Sequence, residues 1–316
     1  MVRRVRRHRY ISAQGSSALD FRALTVDDLS DPRLLPNLFA SGSAALRKMD
    51  FSGISDKSLA GKALRRPLRL LPPDTVLPIL QGKLRGLKWI AGSSNHGCWL
   101  GSYEYHKRKA FEERVAKGSV VFDIGANTGF YTLLASVLVG PQGRVFAFEP
   151  VPRNLRYLQE HLRINGIKNV SVIEAAVADC VGVAHFDAGP NPSMGRLAAD
   201  GCLTVRTVSL DEMVRRGELP PPDYMKIDVE GAELLVLTGA TFLLENTRPT
   251  VFLATHGQDL HQQCCQLLES FGYQLRAIGD NNLERSDEMI ALPSGWPSEG
   301  HDAGPMQLAY PQPRGV

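Results

Sequence analysis

Acids and glycines gather at one point of this 316-residue chain. The stretch Val120-Val121-Phe122-Asp123-Ile124-Gly125-Ala126-Asn127-Thr128-Gly129-Phe130-Tyr131 runs from an apolar segment to an acid, then through a glycine-bearing turn. A helical pattern follows, with Leu133, Leu134, Val137 and Leu138 on one face. Strand, tight turn and helix in that order make a nucleotide-binding corner. Gly125 and Gly129 leave bare backbone for a ligand, and Asn127 tolerates the left-handed region better than most residues. The third glycine of a dinucleotide fingerprint is missing at the required step. Asp123 at the strand tip would also face a pyrophosphate as anion against anion. An acid there suits a cationic ligand, and S-adenosylmethionine carries both a sulfonium and an ammonium.

Ionisable residues recur at the ends of other apolar runs: Glu149 after 144–148, Asp228 after 224–227, and His256 after 250–254. In an open α/β sheet, ligands sit outside the carboxyl ends of the strands. An acid ending the second strand accepts both ribose hydroxyls of an adenosine. For a proton acceptor there are three candidates. His256 titrates near neutrality. Lys226 lies on a strand expected to be buried, where a lysine loses its charge or pairs with Asp228 or Glu230. Asp228 and Glu230 together could hold a divalent metal that acidifies a hydroxyl, but two carboxylates are too few to assign a metal site. Glu233, one turn on, reads as a helix-dipole partner. Tyr103 and Glu104 read as a cover over the cofactor, a wall of the acceptor pocket or a helix start. His96 and Trp99 read as a further part of that wall.

The elements that must position these groups alternate. Strands are expected at 120–124, 144–148, 170–175, 203–208, 224–227 and 250–254, with helices between them and a closing hairpin at 273–277 and 288–292. Ser209 and Glu212 match a capping box. Repeated β-α units imply an α/β fold with a mostly parallel sheet covered on both faces. Upstream, residues 76–90 read as a β-hairpin with glycine in the turn, and a charged helix after Gly101 is expected to stop at Gly118. The expected division is a leader with short helices (1–71, one of them near 31–39), the hairpin and linking helix (72–118), the α/β domain (119–292) and a Pro- and Gly-rich tail (293–316).

Composition narrows the function classes. The chain is 43% hydrophobic and 22% charged, as expected for a protein with one sizeable core. A net charge of +3 does not call for a nucleic-acid partner. The arginine cluster at Arg3, Arg4, Arg6, Arg7 and Arg9 reads as a solvated leader. It has no apolar segment after it, so a secretory signal is not expected. Cys98, Cys180, Cys202, Cys264 and Cys265 are odd in number and lack metal-ligand spacing. A reducing, cytoplasmic setting is therefore expected, as is the absence of a membrane span.

Three motifs together carry a resemblance. Asp123-Ile124-Gly125-Ala126-Asn127-Thr128-Gly129-Phe130-Tyr131, then Phe148-Glu149-Pro150, then Lys226-Ile227-Asp228-Val229-Glu230-Gly231-Ala232-Glu233 resemble the FkbM-type family of class I S-adenosylmethionine-dependent methyltransferases. Gly101-Ser102-Tyr103-Glu104 is similar to a family element too. The likeness runs from about residue 75 to about residue 275. It implies a seven-stranded Rossmann-like sheet and methyl transfer, usually to a hydroxyl of a sugar or natural product. Carried over, Asp123, Gly125, Asn127 and Gly129 would cradle the methionine end, Glu149 would hold the ribose with Asn154 beside it, and Ala176 would border the adenine. Glu104, Tyr131, Pro150 and Asp228 join this cofactor set. Where many relatives place an acid after the fifth strand, this chain has Thr255-His256-Gly257.

The acceptor expected is a small molecule or glycan, and the oligomeric state is left open. Methylation of RNA or protein is a rival reading. Against it, the site after the fourth strand reads Asp228-Val229-Glu230-Gly231 in place of an Asp/Asn-Pro-Pro-aromatic run. A non-catalytic scaffold and a dehydrogenase are the other rivals.

Overall fold

The computed structural model describes residue 68 and residues 71–187, 196–197, 201–279 and 282–294. Most of the expected leader with its helix near 31–39, residues 188–195 and 198–200, and the tail past residue 294 lie outside these residues.

Two short antiparallel strands come first, β1 (Val76–Pro78) and β2 (Lys88–Ile90), with Leu77 opposite Trp89. The expected hairpin pairs over a shorter stretch than its sequence span, and Gly82 and Gly86 adopt positive φ in the connection between its strands. Helix α1 (Gly97–Leu100) is followed by α2 (Tyr105–Arg114). The helix expected to reach Gly118 stops at Arg114, where Val115 turns extended and buries itself in the core.

The α/β unit follows as β3 (Val120–Ile124), α3 (Phe130–Val139), β4 (Arg144–Phe148), α4 (Pro152–Ile164) and β5 (Val170–Ile173). Next come β6 (Ala176–Val177), β7 (Gly182–Asp187), β8 (Arg196–Leu197), β9 (Leu203–Val208) and α5 (Leu210–Arg215). The chain continues through β10 (Tyr224–Ile227), α6 (Glu233–Thr238), a π turn (Leu243–Thr247), β11 (Thr250–Ala254), α7 (Gln258–Ser270), β12 (Tyr273–Ala277) and β13 (Glu288–Pro293). Seven strands form one sheet in the order β12-β13-β11-β10-β3-β4-β5. The five from β11 to β5 are parallel, and β13 runs antiparallel to both its neighbours. The expected strand 170–175 stops at Ile173 in the large sheet, and beyond it β6 pairs with β9 in a second, four-stranded sheet with β7 and β8.

Parallel strands covered on both faces read as continuous apolar runs, as residues 251–254 do. One face packs Phe122, Ile124, Met225 and Ile227 against α6 and α7 through Val236, Leu237, Cys264 and Leu268. The other packs Val121, Val145 and Phe252 against α3, α4 and the upstream hairpin through Leu133, Leu158, Leu77 and Trp89. Two charged residues interrupt this second face, Asp123 on β3 and Lys226 on β10, and the register sets them side by side. No helix among the described residues is long and apolar enough to cross a membrane.

Candidate functional site

From β3 the chain steps one way to β4 and β5, then returns to place β10 and β11 on the other side. That reversal opens a crevice at the carboxyl ends of the strands, and a cavity of about 280 Å³ lies there. The turn after β3 forms one wall. Asn127 stands at φ 51°, in the left-handed region foreseen for it. This aims its amide at Glu149 at the tip of β4, whose Oε2 accepts at 2.7 Å. Glu149 Oε1 accepts from the Val151 amide at 3.0 Å and from Asn154 Nδ2 at 3.2 Å. Burial raises the Glu149 carboxyl above its ordinary range, and these hydrogen bonds oppose the shift.

Of the residues singled out in the sequence, Glu104, Gly125, Asn127, Tyr131, Glu149, Pro150, Asn154, Ala176, Lys226, Asp228 and His256 line this cavity. Asp123 and Gly129 do not. Asp123 is 1% exposed. Its Oδ2 accepts from Thr132 Oγ1 at 2.6 Å, and its Oδ1 lies 3.4 Å from Lys226 Nζ. It is a buried counter-ion beneath the cavity floor, which corrects the expectation of direct contact with a bound cation. The glycines serve packing. A Cβ on Gly125 would meet the Asp228 carbonyl oxygen at 1.9 Å, and one on Gly129 would meet Leu158 Cδ1 at 2.5 Å. Both residues also have positive φ. Neighbouring chain fills the Cβ direction of each glycine, while Gly125 still lines the cavity. His96 and Trp99 bond to each other, Nε1 to Nδ1 at 3.2 Å, and leave the cavity wall to Ser94 and Cys98.

Lys226 is held among oxygen acceptors. Its ammonium donates to the Gly125 carbonyl at 2.9 Å and faces Asp123 and Asp228. A second lysine, Lys107 on α2, went unnoticed in the sequence. It is 2% exposed, and its Nζ reaches Glu104 Oε2 at 2.9 Å, Asp228 Oδ2 at 3.0 Å and Glu288 Oε1 at 3.1 Å. Burial disfavours that charge, yet the three carboxylates outweigh it and hold the ammonium well above the usual lysine range. Asp228 reciprocates: burial alone would raise its carboxyl, but Lys107 and Lys226 hold it well below the usual range. Both ammonium groups also flank the Tyr131 ring, 5.6 and 5.5 Å from its centroid. Only Glu104 at i−3 hints at this role for Lys107. In sequence the run Tyr105-His106-Lys107-Arg108-Lys109 looks like a solvated face.

His256 follows β11 among carboxylates. Its Nδ1 lies 2.7 Å from Glu233 Oε1, and its Nε2 lies 3.3 Å from Glu230 Oε2 and 3.9 Å from Asp228 Oδ1. The Glu233 hydrogen bond, against partial burial and with help from Glu230 and Asp228, raises the imidazole to about 9. With Nδ1 engaged by Glu233, Nε2 is the ring nitrogen turned toward Glu230 and Asp228. Glu233, read as a helix-dipole partner, does sit in the first turn of α6, fully buried. It also orients His256.

Parts of the chain are similar to known proteins. Residues 123–275 match the model described as the methyltransferase FkbM domain. The chain is 34% identical over 137 residues to the hexuronic acid methyltransferase AglP of Haloferax volcanii, covering 42% of this chain and 55% of that protein. It is 39% identical over 62 residues to a protein-L-isoaspartate O-methyltransferase of Aeropyrum pernix, covering 20% of this chain and 23% of that one. The chain thus spans about half the length of the first relative and under a quarter of the second. Among solved structures, a methyltransferase FkbM from Methylobacillus flagellatus aligns at TM-score 0.42 and 21% identity, over 55% of this chain and 43% of that one.

Proposed function

We propose that this chain, which belongs to the methyltransferase FkbM family, transfers a methyl group from S-adenosylmethionine to a hydroxyl of a sugar or glycan. Glu149 carries the reading. A carboxylate has about four acceptor sites, and three donors reach this one from the protein. It therefore keeps acceptor capacity at the cavity wall for a ribose hydroxyl. Asn154 steadies it, and Ala176 and Pro150 supply small surfaces beside it. At the opposite wall, Glu104, Asp228 and Glu230 supply negative charge for the cationic end of the donor.

The methyl of a sulfonium is already activated, so the protein's task is mainly alignment. Charge on an alkoxide-like oxygen and on the sulfonium cancels as the methyl moves, which a water-poor cavity favours. Asp228, kept ionised by Lys107 and Lys226, stands at the cavity wall where the incoming hydroxyl would be received. The sugar acceptor is suggested by the hexuronic acid methyltransferase relative.

The test is transfer of labelled methyl from S-adenosylmethionine to a panel of hexuronate-containing glycans. The expected product is a methyl ether. Label appearing instead on peptide carboxyls or RNA, with none on any sugar hydroxyl, would redirect the assignment.

A further inference from the structure

Three side chains at two strand tips are arranged as donors to one cation. Asp228 and Glu230 follow β10, His256 follows β11, and one ligand atom from each lies within 4.8 Å of the others. The division of contacts leaves these atoms facing a common point. Asp228 turns Oδ2 to Lys107 and Lys226 and keeps Oδ1 toward His256 Nε2. Glu230 enters at φ 53° and Gly231 follows at φ 103°, a bend that brings the Glu230 carboxylate back to His256 Nε2 at 3.3 Å.

A second feature comes from outside the three. Glu233, fully buried, engages His256 Nδ1 and accepts the Gly231 amide at 3.1 Å, while its Oε2 has no hydrogen-bond partner. A carboxylate on the rear nitrogen of an imidazole whose front nitrogen faces other ligands is the arrangement that fixes metal-ligating histidines. The charge count points the same way. Asp123, Glu104, Asp228, Glu230, Glu233 and Glu288 form one web with only Lys107 and Lys226 as permanent cations. Three protein ligands of mixed nitrogen and oxygen type suit a first-row transition dication with coordination positions left for a substrate.

We propose that Asp228, Glu230 and His256 bind one divalent transition-metal cation beside the donor cavity, with Glu233 orienting the histidine. Its use rests on the methyltransferase reading above. A hydroxyl coordinated there becomes more acidic, loses its proton to solvent, and its oxygen forms the new O–CH3 bond. The C–S bond breaks with its electron pair left on sulfur, giving the ether and S-adenosylhomocysteine.

Titration of Mn2+ into the chelator-treated full chain, followed by electron paramagnetic resonance, tests the site directly. S-adenosylhomocysteine binding is measured by calorimetry on the same sample. About one tightly bound Mn2+ per chain is expected, weakened at least about tenfold in Glu230→Gln and in His256→Ala. Glu230 is partly exposed, so the first variant is expected to fold, and circular dichroism checks both. Absence of bound Mn2+ at about 1 mM, far weaker than a built site of this kind, overturns the proposal. So does binding unchanged in both variants. No Mn2+ on the unsubstituted chain with S-adenosylhomocysteine still bound sinks the cation site alone, whereas Mn2+ bound without S-adenosylhomocysteine sinks the donor reading and leaves the site.

Discussion

Lys107 holds three carboxylates that lie between 20% and 26% exposed, so its loss strands their charge. Lys107→Met is expected to lower stability by about 3 kcal/mol, read from urea unfolding. A change within about 0.5 kcal/mol would mean that solvent already screens the web. Gly125→Ala is expected to cost more than its one methyl group suggests. The residue has φ 76°, and its new Cβ would lie 1.9 Å from the Asp228 carbonyl oxygen. The Asp228 tip must move, so both stability and donor affinity fall together. Donor affinity lost without loss of stability would return Gly125 to the ligand-clearance role read from the sequence. At Glu149, exchange to Gln removes the charge and one acceptor. S-adenosylhomocysteine affinity should then drop about 10- to 100-fold, the range for a lost charge-assisted bond of about 1.5–3 kcal/mol. The acids at the strand tips were legible because an ionisable residue ends each apolar run. Their division of labour was not. Whether Asp123 faces ligand or lysine depends on the register of β3 against β10, a pairing across 103 positions that local spacing does not encode.

A buried imidazole helps tie the upstream hairpin to the α/β unit, beside the hydrogen bonds between Asn165 and Lys88. His161 on α4 is fully buried. Its Nε2 accepts the Ile90 amide of β2 at 3.1 Å, and its Nδ1 lies 2.7 Å from the Thr128 carbonyl in the turn after β3. The Trp89 ring stacks on it at 3.9 Å. Burial lowers this histidine from 6.5 to about 4, against the opposing pull of the Thr128 carbonyl and Glu160. A histidine depressed in the folded state stabilises fully above its unfolded value, and that stability is lost as pH falls from about 6.5 toward 4. Unfolding free energy at about pH 4.5 should therefore be roughly 2–3 kcal/mol below that at pH 7 from this group. His161→Phe should flatten that part of the slope, and an unchanged slope in the variant would place the acid sensitivity elsewhere. The α/β elements were legible from periodicity and end signals, as Gly239 after α6 and Pro152 opening α4 illustrate. β7 escaped because Gly182-Val183-Ala184-His185 presents mostly exposed positions, so no burial pattern marks it.

At the scale of the whole molecule, the chain reverses direction across the sheet between β3 and β10, and every group argued above to do chemistry meets at that reversal. The motif run 226–233 could be read as a strand followed by a helix start. Its meeting with Lys107 and Glu288, far apart in sequence, needed the closed fold. The same closure puts more carboxylates than ammonium groups around the cavity, which favours a cationic ligand over a pyrophosphate. Calorimetric titration of the full chain with S-adenosylhomocysteine and, separately, with NAD compares the two adenosine ligands at one wall. The account predicts one S-adenosylhomocysteine bound per chain and no measurable heat from NAD. Binding of NAD in preference, or of neither, would contradict it.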